Sequence, residues 1–304
     1  MGRLICITCL LAVNAVAQPA SPEAVKLTLV RGIEEKVRTF DGVMGVAIID
    51  LKTGEEIAVN ADLTFPAGSS IKVAILIELY RQAAAGSLKL TEVIKMTTRD
   101  QVGGSGILQH LTPGDSQIRL QDLSVLMIAL SDNTATNILL ERLGMARINQ
   151  TLTDLGLSGI KLRRRMIDQG AMARAEENVA TPREAVRLFE LLASGKVISE
   201  DISQAVLRTL RIPKSSPIPR RLPSSVPVAN KPGGVEGAAC DWALVEVPGR
   251  PFVIAVMTTY NGETAEADNV IASIARMAYD LYSRLARSTR YGARVPLPLL
   301  EGVR

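Results

Sequence analysis

Cysteine, histidine and aromatic residues are all scarce in this 304-residue chain: three cysteines, one histidine, and aromatics at 3% of the total. Each scarcity excludes something. Cys6 and Cys9 lie in the first ten residues, and Cys240 stands alone further on. No intramolecular disulfide is expected once the N-terminal segment is removed. His110 is the only imidazole, so neither a histidine-ligated zinc site nor a Ser-His-Asp triad can be assembled. No cofactor is expected. Few aromatics and no nucleic-acid motif accompany the basic pI of 9.0, and the basic runs Arg163-Arg164-Arg165 and Arg220-Arg221 read as solvated loops. Nucleic acid is therefore not an expected partner.

The one sustained apolar run near the start is short. Arg3, then Leu4–Val13, then Ala15-Val16-Ala17 follow the order of a secretory signal: a positive region, an apolar region and a small-residue cleavage site. The run is too short to cross a bilayer, so no stable membrane anchor is expected. Cleavage after about Ala17, with a periplasmic or secreted mature chain, is the expectation. Cys9 is not in a lipobox, and lipidation is not predicted.

What is present is a set of three motifs. Ser69-Ser70-Ile71-Lys72 opens an apolar stretch read as a helix, Ser69–Gly86. A helical turn is about 3.6 residues, so the Ser69 hydroxyl and Lys72 amine share a face, while Ser70 points roughly 100° away. A serine needs a base, and a desolvated lysine beside other cations can act as one. Alone this spacing is common. Ser131-Asp132-Asn133 follows 62 residues after Ser69, and Lys231-Pro232-Gly233 follows 100 residues after Ser131. Lys52-Thr53-Gly54 is a decoy for the third motif, because it precedes the serine and reads as a hairpin turn.

Together with Phe65-Pro66-Ala67-Gly68, Gly104-Ser105-Gly106-Ile107-Leu108 and Leu130-Ser131-Asp132-Asn133-Thr134-Ala135-Thr136-Asn137, these motifs resemble those of the class A β-lactamase-related serine hydrolases. The resemblance spans roughly Glu23 to Leu285. It implies Ser69 as nucleophile and Lys72 as proton acceptor or relay. Ser131 would pass a proton to the departing amine, and Lys231 would attract a substrate carboxylate. Asn133 would accept from Lys72 and donate to the substrate amide. The Ser69 and Gly234 N–H groups, the latter just past Gly233, would hold the oxyanion. Asp132 reads as a structural cap for the following helix.

Two departures from the family bear on mechanism. Pro232 stands where the family usually has a hydroxyl residue that helps hold the carboxylate; only Arg220 or Arg221 offers a substitute cation. The family also carries a glutamate in an Ω-loop that activates the deacylating water. Counting back from Thr181-Pro182, that position falls at about Arg165, and no glutamate lies between Leu162 and Arg174. Asp168 is the one carboxylate in that half of the loop and the candidate to reach a deacylating water from a shifted loop; Glu176 and Glu177 come too late.

The patterning predicts a helix over Ser21–Phe40 and a hairpin of Val43–Asp50 with Glu56–Asn60. Helices follow at Leu120–Ser131, Asn133–Leu143 and Pro182–Ala193. Leu162–Thr181 reads as a long loop and Pro213–Pro227 as a proline-rich connection. Strands at Ala238–Val247 and Phe252–Tyr260 lead to a terminal helix, Glu263–Leu285, and a loose tail, Ala286–Arg304. The expected fold is α/β: an antiparallel sheet from both chain ends (about 21–65 and 226–286), flanked by the N- and C-terminal helices, with an inserted all-helical lobe (about 66–212). Residues 1–17 form the signal, 18–286 the catalytic domain and 287–304 the tail.

The function expected is acylation of Ser69 by a β-lactam, slow to deacylate for want of the glutamate. The alternatives are a D-Ala-D-Ala peptidase, penicillin-binding protein or esterase with the same nucleophile, and a non-catalytic binding module. The partner is a small molecule, and a monomer is expected.

Overall fold

The structure, a computed structural model, describes residues 22–289 and 291–296. The signal-peptide expectation and the Ser21 cap lie outside the described residues. Helix α1 (Pro22–Thr39) leads into β1 (Val43–Asp50) and β2 (Glu56–Val59). A short β3 (Phe65–Pro66) and a 3-10 turn (Gly68–Ile71) precede α2 (Lys72–Ala84). The inserted lobe then contains β4 (Val93–Lys95), β5 (Gln117–Arg119), α3 (Leu120–Ala129), α4 (Asn133–Leu143) and α5 (Met145–Asp154). It continues through α6 (Gln169–Ala173), β6 (Val179–Ala180), α7 (Pro182–Ala193) and α8 (Glu200–Leu210). The chain closes with β7 (Val228–Val235), β8 (Ala238–Val245), β9 (Phe252–Thr259) and α9 (Thr264–Leu285).

Five antiparallel strands lie in the order β2-β1-β9-β8-β7. β1 pairs with β9 from Val43↔Thr259 to Asp50↔Phe252, so the two ends of the chain do close one sheet. β8 is buried along its whole length, because both faces of the sheet are covered. Cys240, Trp242 and Leu244 face the core shared with α2 and α7, while Ala239, Ala243 and Val245 face α1 and α9. That alternation sends neighbouring residues of one strand into different environments.

Several elements differ from the sequence reading. The stretch 162–181 contains a short helix, α6, and a bridge from Lys161 to Val179 rather than a loop throughout. The described part of the tail folds back, with Val295 N donating to Arg287 O at 2.7 Å and Thr289 N to Ala293 O at 2.8 Å. Lys231-Pro232-Gly233 lies inside a full strand; Pro232 is tolerated because β7 is an edge. Helix α8 also went unread, although Ser199 caps Ile202 N and Glu200 and Asp201 sit in its first turn.

The helical lobe is organised around a buried acid. Glu78, on α2, accepts from Arg81 Nε (2.6 Å) and Nη2 (2.7 Å), Gln82 Nε2 (2.6 Å) and Thr151 Oγ1 on α5 (2.7 Å). Gln82 Nε2 also donates to Leu143 O at the end of α4. Glu78→Ala would deprive the buried Thr151 and Gln82 of this acceptor, whereas the partly exposed Arg81 can turn to water. It should cost about 1–3 kcal/mol of unfolding free energy in a denaturant titration.

Candidate active site

The serine turn and the edge strand meet backbone to backbone. Gly68 has φ of +47°, and a Cβ there would lie 2.5 Å from Gly234 N. At Gly233 a Cβ would meet Ala67 O at 2.5 Å, Ser70 N at 2.7 Å and Ser69 N at 2.8 Å. Only glycine at both positions lets β7 press against the turn. The Ser69 and Gly234 amides are thereby brought to one side of the cleft. Ser70 points the other way, as its position predicts: its buried Oγ donates to Lys231 O at 2.7 Å and lies 3.3 Å from Cys240 Sγ. Burial pushes the Cys240 thiol up to about 12, so it stays protonated and donates to Ala67 O at 3.2 Å.

Lys72 is fully buried, and its Nζ donates to Ser131 O at 2.7 Å and Asn133 Oδ1 at 3.0 Å, with Ser131 Oγ at 3.1 Å. Lys231, 1% exposed, reaches the same Ser131 Oγ at 3.1 Å and its neighbour Pro232 O at 2.9 Å. Burial, and after it the nearby Lys231, holds the Lys72 amine well below the ordinary lysine range, against the opposite pull of Asp132. Burial and then Lys214 bring Lys231 down to about 7. Among the described residues the Ser69 hydroxyl has no hydrogen-bond partner; the amine expected beside it is drawn to Ser131 and Asn133 instead.

Ser131 occupies the break between α3 and α4 at φ +53°, a region that costs a non-glycine residue energy and is found where surrounding structure fixes it. Asp132 does the fixing. Its Oδ1 caps α4 through Ala135 N (2.9 Å), and its Oδ2 accepts from Ile107 N (2.7 Å) and Leu108 N (2.9 Å). Gly106 must be glycine here, since a Cβ would stand 2.2 Å from Asp132 Cγ. Asn133 Nδ2 donates to Gly103 O at 3.1 Å.

The profile of the beta-lactamase enzyme family matches residues 28–282. The chain belongs to that family. It is 29% identical over 250 residues to an imipenem-hydrolyzing beta-lactamase of Enterobacter cloacae, covering 79% of this chain and 85% of that one. A beta-lactamase of Sphaerobacter thermophilus superposes with a TM-score of 0.78 at 30% identity, over 83% of this chain and 96% of that one. A mutant of PBP-A, solved as an acyl-enzyme complex with penicillin G, gives 0.77 at 27% identity, over 84% and 96%. The protein is thus a serine hydrolase of the β-lactamase kind, with the two-lobed architecture of its relatives.

Within that family frame, the loop 162–181 is where the sequence reading needs correction. Arg165 faces outward, paired at 3.6 Å with Glu141 and lining a surface groove of about 880 Å³ with Arg99 and Arg142. The loop residue locked against α4 is Met166, whose N–H and C=O both bond the Asn137 side chain at 2.9 and 3.0 Å. Asn137 lies one turn beyond Asn133, on the same helix face. Met166 is thereby held against the face of α4 that carries Asn133. Ile167 follows at φ +58°, a strained region for a β-branched residue. Asp168 caps α6 through Ala171 N at 2.9 Å. Of the two arginines considered as a second cation, Arg220 is engaged elsewhere, bonding Asp268 at 3.1 Å and Asn269 at 3.4 Å on α9.

Asn137, Met166 and Cys240 were not identified from sequence. The repeat of asparagine at 133 and 137 was the available signal for the first. Gly233→Ala should separate β7 from the serine turn, lowering unfolding free energy by about 1–3 kcal/mol in a chemical denaturation experiment.

Proposed function

We propose that the protein opens β-lactams through an acyl-enzyme on Ser69 and releases the acyl group slowly. The observation that carries this reading is the cage around Lys72. A neutral amine has two N–H donors and one lone pair. Ser131 O and Asn133 Oδ1 are obligate acceptors and take both donors, which leaves the lone pair for a hydroxyl proton. Ser69 Oγ attacks the lactam carbonyl as its proton passes to Lys72, and the oxyanion forms against Ser69 N and Gly234 N. When the C–N bond breaks, the proton returns to the leaving nitrogen through Ser131 Oγ, the atom shared by Lys72 and Lys231. Protonated Lys231 holds the substrate carboxylate, with no hydroxyl from Pro232. Asn133 Nδ2 exchanges Gly103 O for the substrate amide.

Slow release follows from the loop. Met166 and Ile167 are apolar, and the carboxylate of Asp168 is engaged as a helix cap. Deacylation by water then has no carboxylate base. The same observation favours a second reading, a D-Ala-D-Ala peptidase or penicillin-binding protein that β-lactams trap; the likeness to PBP-A supports it. The intact set of Ser69, Lys72, Ser131, Asn133 and Lys231 argues against a non-catalytic module. Export to the periplasm or medium belongs to this reading and rests on Leu4–Val13 and Ala15-Val16-Ala17.

Time-resolved intact mass after mixing with a penicillin tests the reading. A lasting adduct is expected on the wild-type protein and none on Ser69→Ala; labelling that survives this substitution would overturn the nucleophile. Met166→Glu should shorten the adduct lifetime at least tenfold, on the order of what a positioned general base contributes. An unchanged lifetime would mean that residue 166 does not face the acyl carbon.

A further inference from the structure

A second group of buried ionisable residues lies at the edge strand beside the site. Asp241 on β8 is fully buried, and accepts from Ile218 N at 3.0 Å and from Asn230 Nδ2 at 3.0 and 3.2 Å. Asn230 Nδ2 also donates to the buried Ser216 Oγ at 2.8 Å. The amide oxygen of Asn230 faces Lys214 Nζ at 3.5 Å, and Lys214 donates to Leu210 O at 2.6 Å. Asn230 therefore stands between a cation and an anion, with its oxygen toward the ammonium and its N–H₂ toward the carboxylate. It is also the residue immediately before Lys231. None of Lys214, Asn230, Ser216 or Asp241 takes part in the acylation chemistry.

We propose that Lys214 and Asp241, joined through Asn230 at the edge strand, are positioning residues that set the pH range over which Lys231 holds a carboxylate-bearing substrate. This rests on the acyl-enzyme reading and on Lys231 as the carboxylate partner. The charged and titratable groups around Lys231 are Lys72 on α2, Asp132 at the head of α4, Lys214 after α8, and Asp241 and Cys240 on β8. Burial disfavours the charged form of Lys72 and the Cys240 thiol stays protonated, while Asp132 is spent on α4 and the loop at 107–108. Lys214 and Asp241 are left to act in opposite senses. Burial lowers Lys214 to about 8 and raises Asp241 to about 6, so near neutral pH both carry charge. Lys214 disfavours the charged form of Lys231 and Asp241 favours it. Burial strengthens both influences by excluding water.

The sign of the effect follows. Lys231 binds a carboxylate while protonated, so acylation by benzylpenicillin should fall as pH rises through about 7. Acylation by uncharged p-nitrophenyl acetate should show no such descending limb. Lys214→Met removes the like charge and should move the penicillin limb to higher pH by about one unit. At pH 8 that is roughly a fivefold gain in kcat/KM over wild type, with the ester profile unmoved. Asp241→Asn should move the limb to lower pH; if that variant does not fold, Lys214→Met decides alone. A limb that stays in place in Lys214→Met, or moves equally for the ester, would overturn this inference and leave the acyl-enzyme reading standing. Absence of any penicillin adduct on the wild-type protein would overturn both.

Discussion

Two buried lysines converge on one hydroxyl, and the rest of the structure depends on that arrangement. Ser131 Oγ lies 3.1 Å from Lys72 Nζ and 3.1 Å from Lys231 Nζ. Two adjacent ammonium groups out of water are costly to keep charged, so burial drives at least one toward the neutral form. The three residues come from three elements: α2, the α3–α4 break and β7. Each needs its own support. Asp132 provides three hydrogen bonds around the strained Ser131, Asn133 accepts from Lys72, and β7 is pinned through Ser70 Oγ to Lys231 O.

The seam between the lobes is made of backbone. Gly68 and Gly233 permit an approach that a methyl group at either position would prevent. Side chains then reinforce the seam from behind, through the Ser70–Cys240–Ala67 contacts. A lone cysteine that sequence arithmetic treats as a leftover is in fact packed under the serine turn. Its raised pKa keeps it a donor instead of a nucleophile.

The loop 162–181 shows that scaffold and chemistry are separable. Three asparagines organise its backbone: Asn149 bonds both polar groups of Leu162, Asn137 both of Met166, and Asn178 Oδ1 accepts from Arg163 N and Arg164 N. Arg164 adds a half-buried pair with Glu177 at 2.7 Å. The loop is held firmly, with Met166 and Ile167 apolar and one oxygen of Asp168 capping α6. In the proposed reading acylation uses Lys72 and the seam while deacylation uses what this loop carries, so the two steps can diverge in one fold.

The sequence by itself determined the motifs, their order and the architecture. Apolar periodicity marked α1, α4, α7 and α9, a β-rich apolar run marked β1, and the spacing of Ser69, Ser131 and Lys231 specified a family of sites. It also assigned Asp132 correctly, because a cap is a local interaction. Tertiary structure decided what depends on long-range contact. Loop counting pointed to about Arg165, and only the Asn137 contact shows that the neighbouring Met166 is the residue bonded to α4. Arg220 looked available near Pro232, and an ion pair with Asp268 on α9 removed it. Lys214, Asn230 and Asp241 carry no motif, since their coupling arises only where a loop after α8 packs on two paired strands. Local spacing fixes which groups share a helix face or a strand; burial and the partners across the fold fix their charge, and those are properties of the packed molecule.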